Sequence, residues 1–342
     1  MKYNLLGNTG LKVSELCLGT MTFGGQKGNG IWGIIGDLDQ KSVDGQLKTA
    51  LDAGINFIDT ANVYSEGISE QLTGQAIRNI GANRHDIVLA TKVRGRMDAG
   101  PNGNGLTRKH ILHEVDQSLR RLNTDYIDLY QIHGYDELTP LEDTLETMDV
   151  LVKSGKVRYI GASNLAAWHL MKALDYSKYN RVVRFNSLQA YYTVAGRDLE
   201  RELVPLMLDQ NVGLMVWSPL AGGFLSGKYT RGNASNEGNR RETFDFPPVD
   251  KEKAYDIVDV LAAMAPSKNA TVAQLALAWL LHQKVVTTVI IGAKKPEQLT
   301  DNLKAVDVKF TDDELKKIDE VSKLRAEYPQ WMLDRQGFDR KK

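Results

Sequence analysis

One form recurs along this chain: a short apolar run that ends abruptly in polar side chains. In residues 54–64, GINFIDTANVY, the run Ile55, Phe57 and Ile58 gives way at once to Asp59, Thr60, Asn62 and Tyr64. The shape returns in VLATK (88–92), YIDLYQIH (126–133), VRYIGASN (157–164) and FNSLQ (185–189). Parallel strands covered on both faces read as nearly continuous apolar runs. Between the runs lie stretches of helical period. Ile111, Val115, Leu119 and Leu122, and later Leu141, Leu145, Met148 and Val152, are spaced so that one face of each helix is apolar. Strand and helix alternate, with polar groups at the strand ends, as in an α/β barrel whose chemistry collects at the carboxyl ends of its strands.

The remaining segments fit that plan. Residues 3–5 and 11–13 flank Gly7, Asn8 and Gly10 and read as a hairpin that plugs one end of the barrel. Residues 16–18 are the first barrel strand, and the glycine-rich stretch 19–33 after it, with no apolar period, reads as an irregular loop. Helices are expected at about 40–53, 69–79, 107–121, 165–174 and 198–209, followed by strand VGLMVW and a long polar excursion over 219–250. Thr271 with Gln274, and Thr311 with Glu314, are capping-box pairs that start two more helices, and VVTTVII supplies the last strand. The 342 residues read as one domain: hairpin 1–14, barrel 15–304, C-terminal helix and tail 305–342.

Charge narrows the partners. Forty-three basic side chains balance 43 acidic ones, so no strong field recruits nucleic acid or an anionic membrane, and a small molecule is the expected ligand. The start, MKYNLLGNTG, lacks an apolar leader core, and no apolar run reaches the roughly 18 residues of a membrane span. Cys17 is the single cysteine, which excludes an internal disulfide and a cysteine-based metal site and fits a reducing cytoplasm. His110 and His113 are spaced for one helix face, but no strand-end carboxylate joins them and that face reads as exposed, so no metal site is expected.

Asp59, Tyr64, Lys92 and His133 lie at or just past the ends of neighbouring strands, which brings them to one mouth. A cation beside a phenol favours the phenolate, so Lys92 is expected to lower the pKa of Tyr64 toward the range of a useful general acid. Asp59 would keep Lys92 charged, and His133 would donate a hydrogen bond to a carbonyl oxygen gaining negative charge. Singly, each has an ordinary structural role, such as a turn cap, a solvated strand end or a packed ring. Together at one end of the strands they read as catalytic.

The runs LGTMTFGG, FIDTANVY, ATK, YQIHGYD, KVRYIGASN, WSPLAGGFLSGKY and IIGAKKPEQLTDN together resemble an aldo-keto reductase, over about residues 16–302. The resemblance implies a (β/α)8 TIM barrel that binds NADPH, or NADH, without a Rossmann domain and moves hydride to or from an aldehyde or ketone. It makes Tyr64 the general acid, tuned by Lys92 and Asp59, with His133 orienting the carbonyl. It assigns Gly19, Thr20, Met21, Asp59, Ser163, Asn164, Gln189 and Trp217 to the cofactor, with Ser163 and Asn164 on the carboxamide, Gln189 beside them and Trp217 stacked on the nicotinamide. Ser218, Pro219, Leu220, Gly222, Ser226, Lys228 and Arg240 fall to the pyrophosphate, and Gly292, Lys294, Gln298 and Asn302 to the adenosine end. Lys294 and Lys295, just before a helix begun by Pro296, are expected to meet the 2′-phosphate of NADPH. Trp32, with Tyr64 and His133, would wall the substrate pocket, and Phe244, Phe246, Trp331 and Met332 are further candidates for its wall. Ser65 departs from the glycine that commonly follows the tyrosine, so a small difference in the local backbone is expected. Cys17 reads as packing. Two other functions stay open: a cofactor-binding regulatory subunit of the same fold, and a Schiff-base lyase with Lys92 as nucleophile.

Overall fold

The computed structural model describes residues 1–25, 30–232, 241 and 244–337. Strands β1 (Tyr3–Leu5) and β2 (Lys12–Ser14) form the antiparallel hairpin. Eight parallel strands follow: β3 (Leu16–Gly19), β4 (Phe57–Asp59), β5 (Val88–Val93), β6 (Ile127–Ile132), β7 (Val157–Ser163), β8 (Phe185–Tyr191), β9 (Gly213–Trp217) and β10 (Val286–Ile291). They close in sequence order, with β10 pairing to both β9 and β3, so the fold is a (β/α)8 barrel.

Alternation along the strands sorts the residues. Cys17, Phe57, Val88, Ala90, Leu129, Met215 and Ile290 face inward and pack on one another. Leu16, Leu18, Ile58, Leu89, Ile132, Leu214 and Val289 face outward into a second, larger cluster shared with the helices. Two positions beyond the inward apolar residues, on the same face, stand Asp59, Lys92, Gln131 and Trp217. The interior is therefore apolar at its amino end and polar at its carboxyl end.

The hairpin seals the amino end. Leu6 and Val13 are fully buried in the inner cluster, and Asn4 Nδ2 donates to Thr287 O at 2.8 Å. Gly7, with φ +55°, sits so close to the barrel floor that a Cβ there would lie 2.2 Å from Asn186 O.

Twelve helices are described. They are α1 (Gly30–Ile35), α2 (Gln40–Asp52), α3 (Ile68–Asn79), α4 (Arg108–Leu122), α5 (Leu141–Lys153), α6 (Ala167–Asn180), α7 (Leu203–Gln210), α8 (Lys251–Lys268), α9 (Val272–Leu281), α10 (Pro296–Leu303), α11 (Asp312–Ser322) and α12 (Gln330–Gln336). Both capping boxes form, at the starts of α9 and α11. Three differences from the sequence reading stand out. The end of the stretch 19–33, expected as an irregular loop, is helical: Gly30–Ile35 form α1, which turns Ile35 into the core. The helix expected over 198–209 is broken into a 3-10 turn, Asp198–Glu200, and α7. Helix α8, buried through Ala254, Tyr255, Ile257, Val258 and Leu261, has no counterpart among the sequence expectations, and Pro266 falls in its last turn. Among the described residues no helix is long and apolar enough to cross a membrane.

Candidate active site

The polar layer at the carboxyl end of the barrel is built around Lys92. Its Nζ lies 2.5 Å from Asp59 Oδ2, 2.8 Å from Thr60 O and 3.1 Å from Tyr64 Oη, so all three ammonium hydrogens have acceptors. The other carboxylate oxygen, Asp59 Oδ1, accepts from Gln131 Nε2 and Gln189 Nε2, each at 2.9 Å. Lys92 is fully buried and Asp59 nearly so. Burial presses the lysine toward its neutral form, but Asp59 and Tyr64 outweigh it and hold the ammonium above its ordinary pKa.

Tyr64 corrects the sequence expectation. Burial pushes its phenol up, Lys92 pulls it down and Asp59 pushes it up again, and the result lies above the ordinary value, not below it. A cation lowers a phenol's pKa only as far as desolvation allows, and this ring is almost entirely enclosed. His133 faces Tyr64 edge to face at 5.8 Å between centroids. Burial, then Lys92 and Arg94, push its pKa down to about 3, so at neutral pH the imidazole is uncharged with one N–H to donate.

Tyr64 opens a 3-10 turn, Tyr64–Gly67, in which Ser65 (φ 48°) and Glu66 (φ 57°) are left-handed. Ser65 thus takes the conformation that glycine adopts freely, at a cost on the order of 1 kcal/mol or more. Its Oγ donates to Phe23 O at 3.2 Å. Below the turn runs a buried ionic network. Arg121 Nε donates to Glu70 Oε2 at 2.6 Å, Thr91 Oγ1 to Glu70 Oε1 at 2.6 Å, and Asn62 Nδ2 to Glu114 Oε2 at 2.9 Å. Arg121 is flush with Gly67, where a Cβ would lie 2.7 Å from its Cδ. The strand ends and the tyrosine turn are thereby tied to α3 and α4.

A cavity of about 830 Å³ opens above this layer. Strand ends give it Gly19, Thr20, Met21, Asp59, Ser163, Asn164, Gln189 and Trp217. The loop after β9 adds Ser218, Pro219, Leu220, Gly222, Ser226 and Lys228, and the segment after β10 adds Gly292, Lys294, Lys295, Gln298 and Asn302. Trp32, Tyr64 and His133 wall one end of it. Lys92 does not line the cavity itself and meets it through its partners Asp59 and Tyr64, and Arg240 lies outside the described residues. Of the other aromatic candidates, Phe246 reaches the cavity and stacks on Trp217 at 5.9 Å, whereas Phe244 packs behind Phe246 at 5.5 Å. Trp331 and Met332 lie on α12, away from the cavity, with Trp331 exposed beside Tyr328.

Sequence reasoning missed Gln131, the third donor around Asp59, although it lies at the end of β6, two residues before His133. It also missed Thr22, Ile35, Val63, Thr271, Leu277 and Asp301, which line the cavity from loops and helices without strand-end periodicity. The histidine pair is corrected as well. His110 is buried at 2 % exposure, its Nε2 without a partner among the described residues, and of the pair only His113 is exposed. The buried arc of α4 runs through His110, Ile111, Glu114, Val115 and Ser118 and is wider than its apolar residues show. Among the described residues no group of three or more His, Cys, Asp or Glu is arranged to hold a metal.

Comparison with known proteins agrees with the geometry. The model of the aldo/keto reductase family matches residues 15–323. The uncharacterized oxidoreductase YrpG of Bacillus subtilis is 38% identical over 94% of this chain and 96% of its own length. A probable voltage-gated potassium channel subunit beta of Arabidopsis thaliana is 36% identical, covering 96% of this chain and 99% of its own. Norsolorinic acid reductase of Aspergillus flavus is 34% identical, over 95% of this chain and 82% of its own.

Proposed function

The chain belongs to the aldo/keto reductase family and is an oxidoreductase, and on that premise we propose that it moves hydride between NADPH and an aldehyde or ketone, or the matching alcohol, with Tyr64 as the general acid. The observation that carries this reading is the contact of Lys92 with both Asp59 and Tyr64 beneath a cavity walled by His133.

The nicotinamide, when bound, supplies or takes the hydride. The protein handles the proton. Lys92 donates to the Tyr64 oxygen, so the phenol's own hydrogen is directed away from the ammonium and toward the cavity. The raised pKa keeps that hydrogen in place until a stronger base, the carbonyl oxygen as it becomes an alkoxide, removes it. His133, neutral because its pKa is pushed down to about 3, donates its N–H to the same oxygen and is excluded as the acid at neutral pH. Asp59 keeps the ammonium charged, and Lys92 stabilises the phenolate left after transfer.

The cavity suits a dinucleotide. Trp217 offers a planar ring, oriented by its indole N–H to Asn164 Oδ1 at 3.0 Å. Ser226 Oγ is buried at the wall with no hydrogen-bond partner among the described residues, as an acceptor-bearing ligand would require. Gly222 and Gly223, both with positive φ, bring backbone close to the space assigned to the pyrophosphate. At the other end, Lys294 and Lys295 stand at the amino end of α10, where backbone N–H groups and the helix dipole favour an anion.

A Schiff base at Lys92 is disfavoured, because this lysine is buried, ionic and saturated with acceptors. The regulatory reading keeps one support, the likeness to the probable potassium channel subunit beta of Arabidopsis thaliana, and predicts cofactor binding without turnover. An NADPH-oxidation assay against a carbonyl panel separates the two. In the same assay Tyr64→Phe should retain cofactor binding and lose at least about 100-fold in single-turnover hydride transfer. A rate near wild type would remove Tyr64 from its role. For the cofactor, the Lys294→Ala, Lys295→Ala double variant should weaken NADPH roughly 10- to 150-fold, the loss of a charge-assisted hydrogen bond, with NADH nearly unchanged. Fluorescence titration checks it, and equal losses for both cofactors would refute the assignment.

A further inference from the structure

Gln131 has no role in the site as assigned above, yet it is as enclosed as Lys92. It is fully buried, faces into the barrel, and lies in register with Lys92 on one side and Gly161 on the other. Room for it exists because position 161 has no side chain: a Cβ there would sit 3.2 Å from Gln131 Cγ and 2.5 Å from Ser187 Oγ. Its bonds fix its orientation uniquely. Asp59 Oδ1 only accepts, so Gln131 and Gln189 must both present Nε2 to it, at 2.9 Å each. Gln189 Nε2 then gives its second hydrogen to Gln131 Oε1, at 3.3 Å. Both ends of the Gln131 amide are occupied, and Gln189, which does line the cavity, is left with its carbonyl oxygen as its unassigned group.

We propose that Gln131 is a positioning residue for the reaction: its amide fixes the rotation of the Asp59 carboxylate so that Oδ2 stays on Lys92, and fixes Gln189 with its carbonyl oxygen available to the ligand. This rests on the reading of Asp59, Lys92 and Tyr64 as the proton-handling set. Without the amide, Oδ1 keeps one donor, Gln189 is free to turn over, and the carboxylate that holds the Lys92 ammonium against Tyr64 loses its lock. The charged or titratable groups facing this point are Asp59 on β4, Lys92 on β5, Cys17 on β3 and Tyr64 beyond β4.

The test compares steady-state kinetics and single-turnover hydride transfer from NADPH in wild type, Gln131→Met, Gln131→Glu and Tyr64→Phe, over about pH 5 to about pH 9. Gln131→Met keeps the volume and removes the amide, so kcat should fall about 10- to 100-fold while KM for the carbonyl changes little. Gln131→Glu keeps the shape but can donate to Asp59 only while its carboxyl is protonated. Its rate should approach wild type at the acid end and decline as pH rises, along a limb that wild type lacks. A wild-type kcat in Gln131→Met overturns the proposal. So does a pH profile of Gln131→Glu parallel to wild type, whether at full rate or uniformly reduced, since a uniform loss marks packing alone. If thermal unfolding shows Gln131→Met unfolded, the profile of Gln131→Glu decides by itself. Tyr64→Phe separates the two readings: if it retains its rate, the proton-handling set is wrong, and if it alone loses rate, only the role of Gln131 falls.

Discussion

At His133 the proposed part in catalysis and a part in stability fall on one side chain. Unfolded, a histidine takes up a proton below about pH 6.5; folded, this one stays neutral until about pH 3. The unfolded state therefore binds more protons in that window, and the contribution of His133 to stability is complete above about pH 6.5 and is lost as pH falls toward 3. The slope is at most about 1.4 kcal/mol per pH unit, and less to the extent that water in the cavity screens the ring. Urea unfolding of wild type and His133→Gln at about pH 7 and about pH 5 should show wild type losing ground to the variant at the lower pH. A difference that does not change with pH would mean the ring is solvated like a free histidine. The residue types at Asp59, Tyr64, Lys92 and His133 were legible in the sequence, since strand ends announce themselves by the switch from apolar to polar. The sign of the Tyr64 shift was not, because desolvation and a nearby cation oppose each other and only the depth of burial decides between them. Gln131 was legible in principle from alternation with His133, but its partner Asp59 lies on a strand not adjacent to its own.

Helices α3 and α4 hold the tyrosine turn through Arg121, which serves Glu70 and, at 3.4 Å, Glu114. Both carboxylates are buried, and burial is the largest influence raising the pKa of Glu70, with Arg121 the main opposing one. Arg121→Met keeps most of the packing on Gly67 but strands two acidic groups. It should cost about 3–5 kcal/mol in denaturant unfolding, against about 1 kcal/mol or less for an exposed pair such as Lys48–Asp52. A small loss would show that water already serves the acids. The reach of sequence reasoning at this scale depended on end signals. Helices with a capping box or a sustained apolar face, such as α4, α5, α9 and α11, fell where expected. Helix α8 did not, because its start follows a long polar excursion and a proline lies near its end. Helix α1 is too short for a period to emerge, though it carries Trp32 to the cavity wall.

For the molecule as a whole, the barrel separates two tasks along its axis. Leu6, fully buried in the apolar amino half, belongs to the plug and not to the site. Leu6→Ala should lower stability by about 2–5 kcal/mol, measured by denaturant unfolding, while leaving kcat and KM near wild type wherever the variant is folded. A loss of kcat in the folded variant would show that the plug reaches the polar layer. Closure of the barrel was readable from the repeated strand and helix order, because parallel strands need cover on both faces. The course of the cavity walls was not, since they come from loops set by packing between distant segments. Closure has one more effect. Equal numbers of acidic and basic side chains leave little repulsion to keep copies of the chain apart at neutral pH. Among the described strands every barrel member has two neighbours, and only the three-residue strands of the hairpin present a free margin. A chain without electrostatic defence against self-association thus offers almost no backbone template on which a second copy can add a strand.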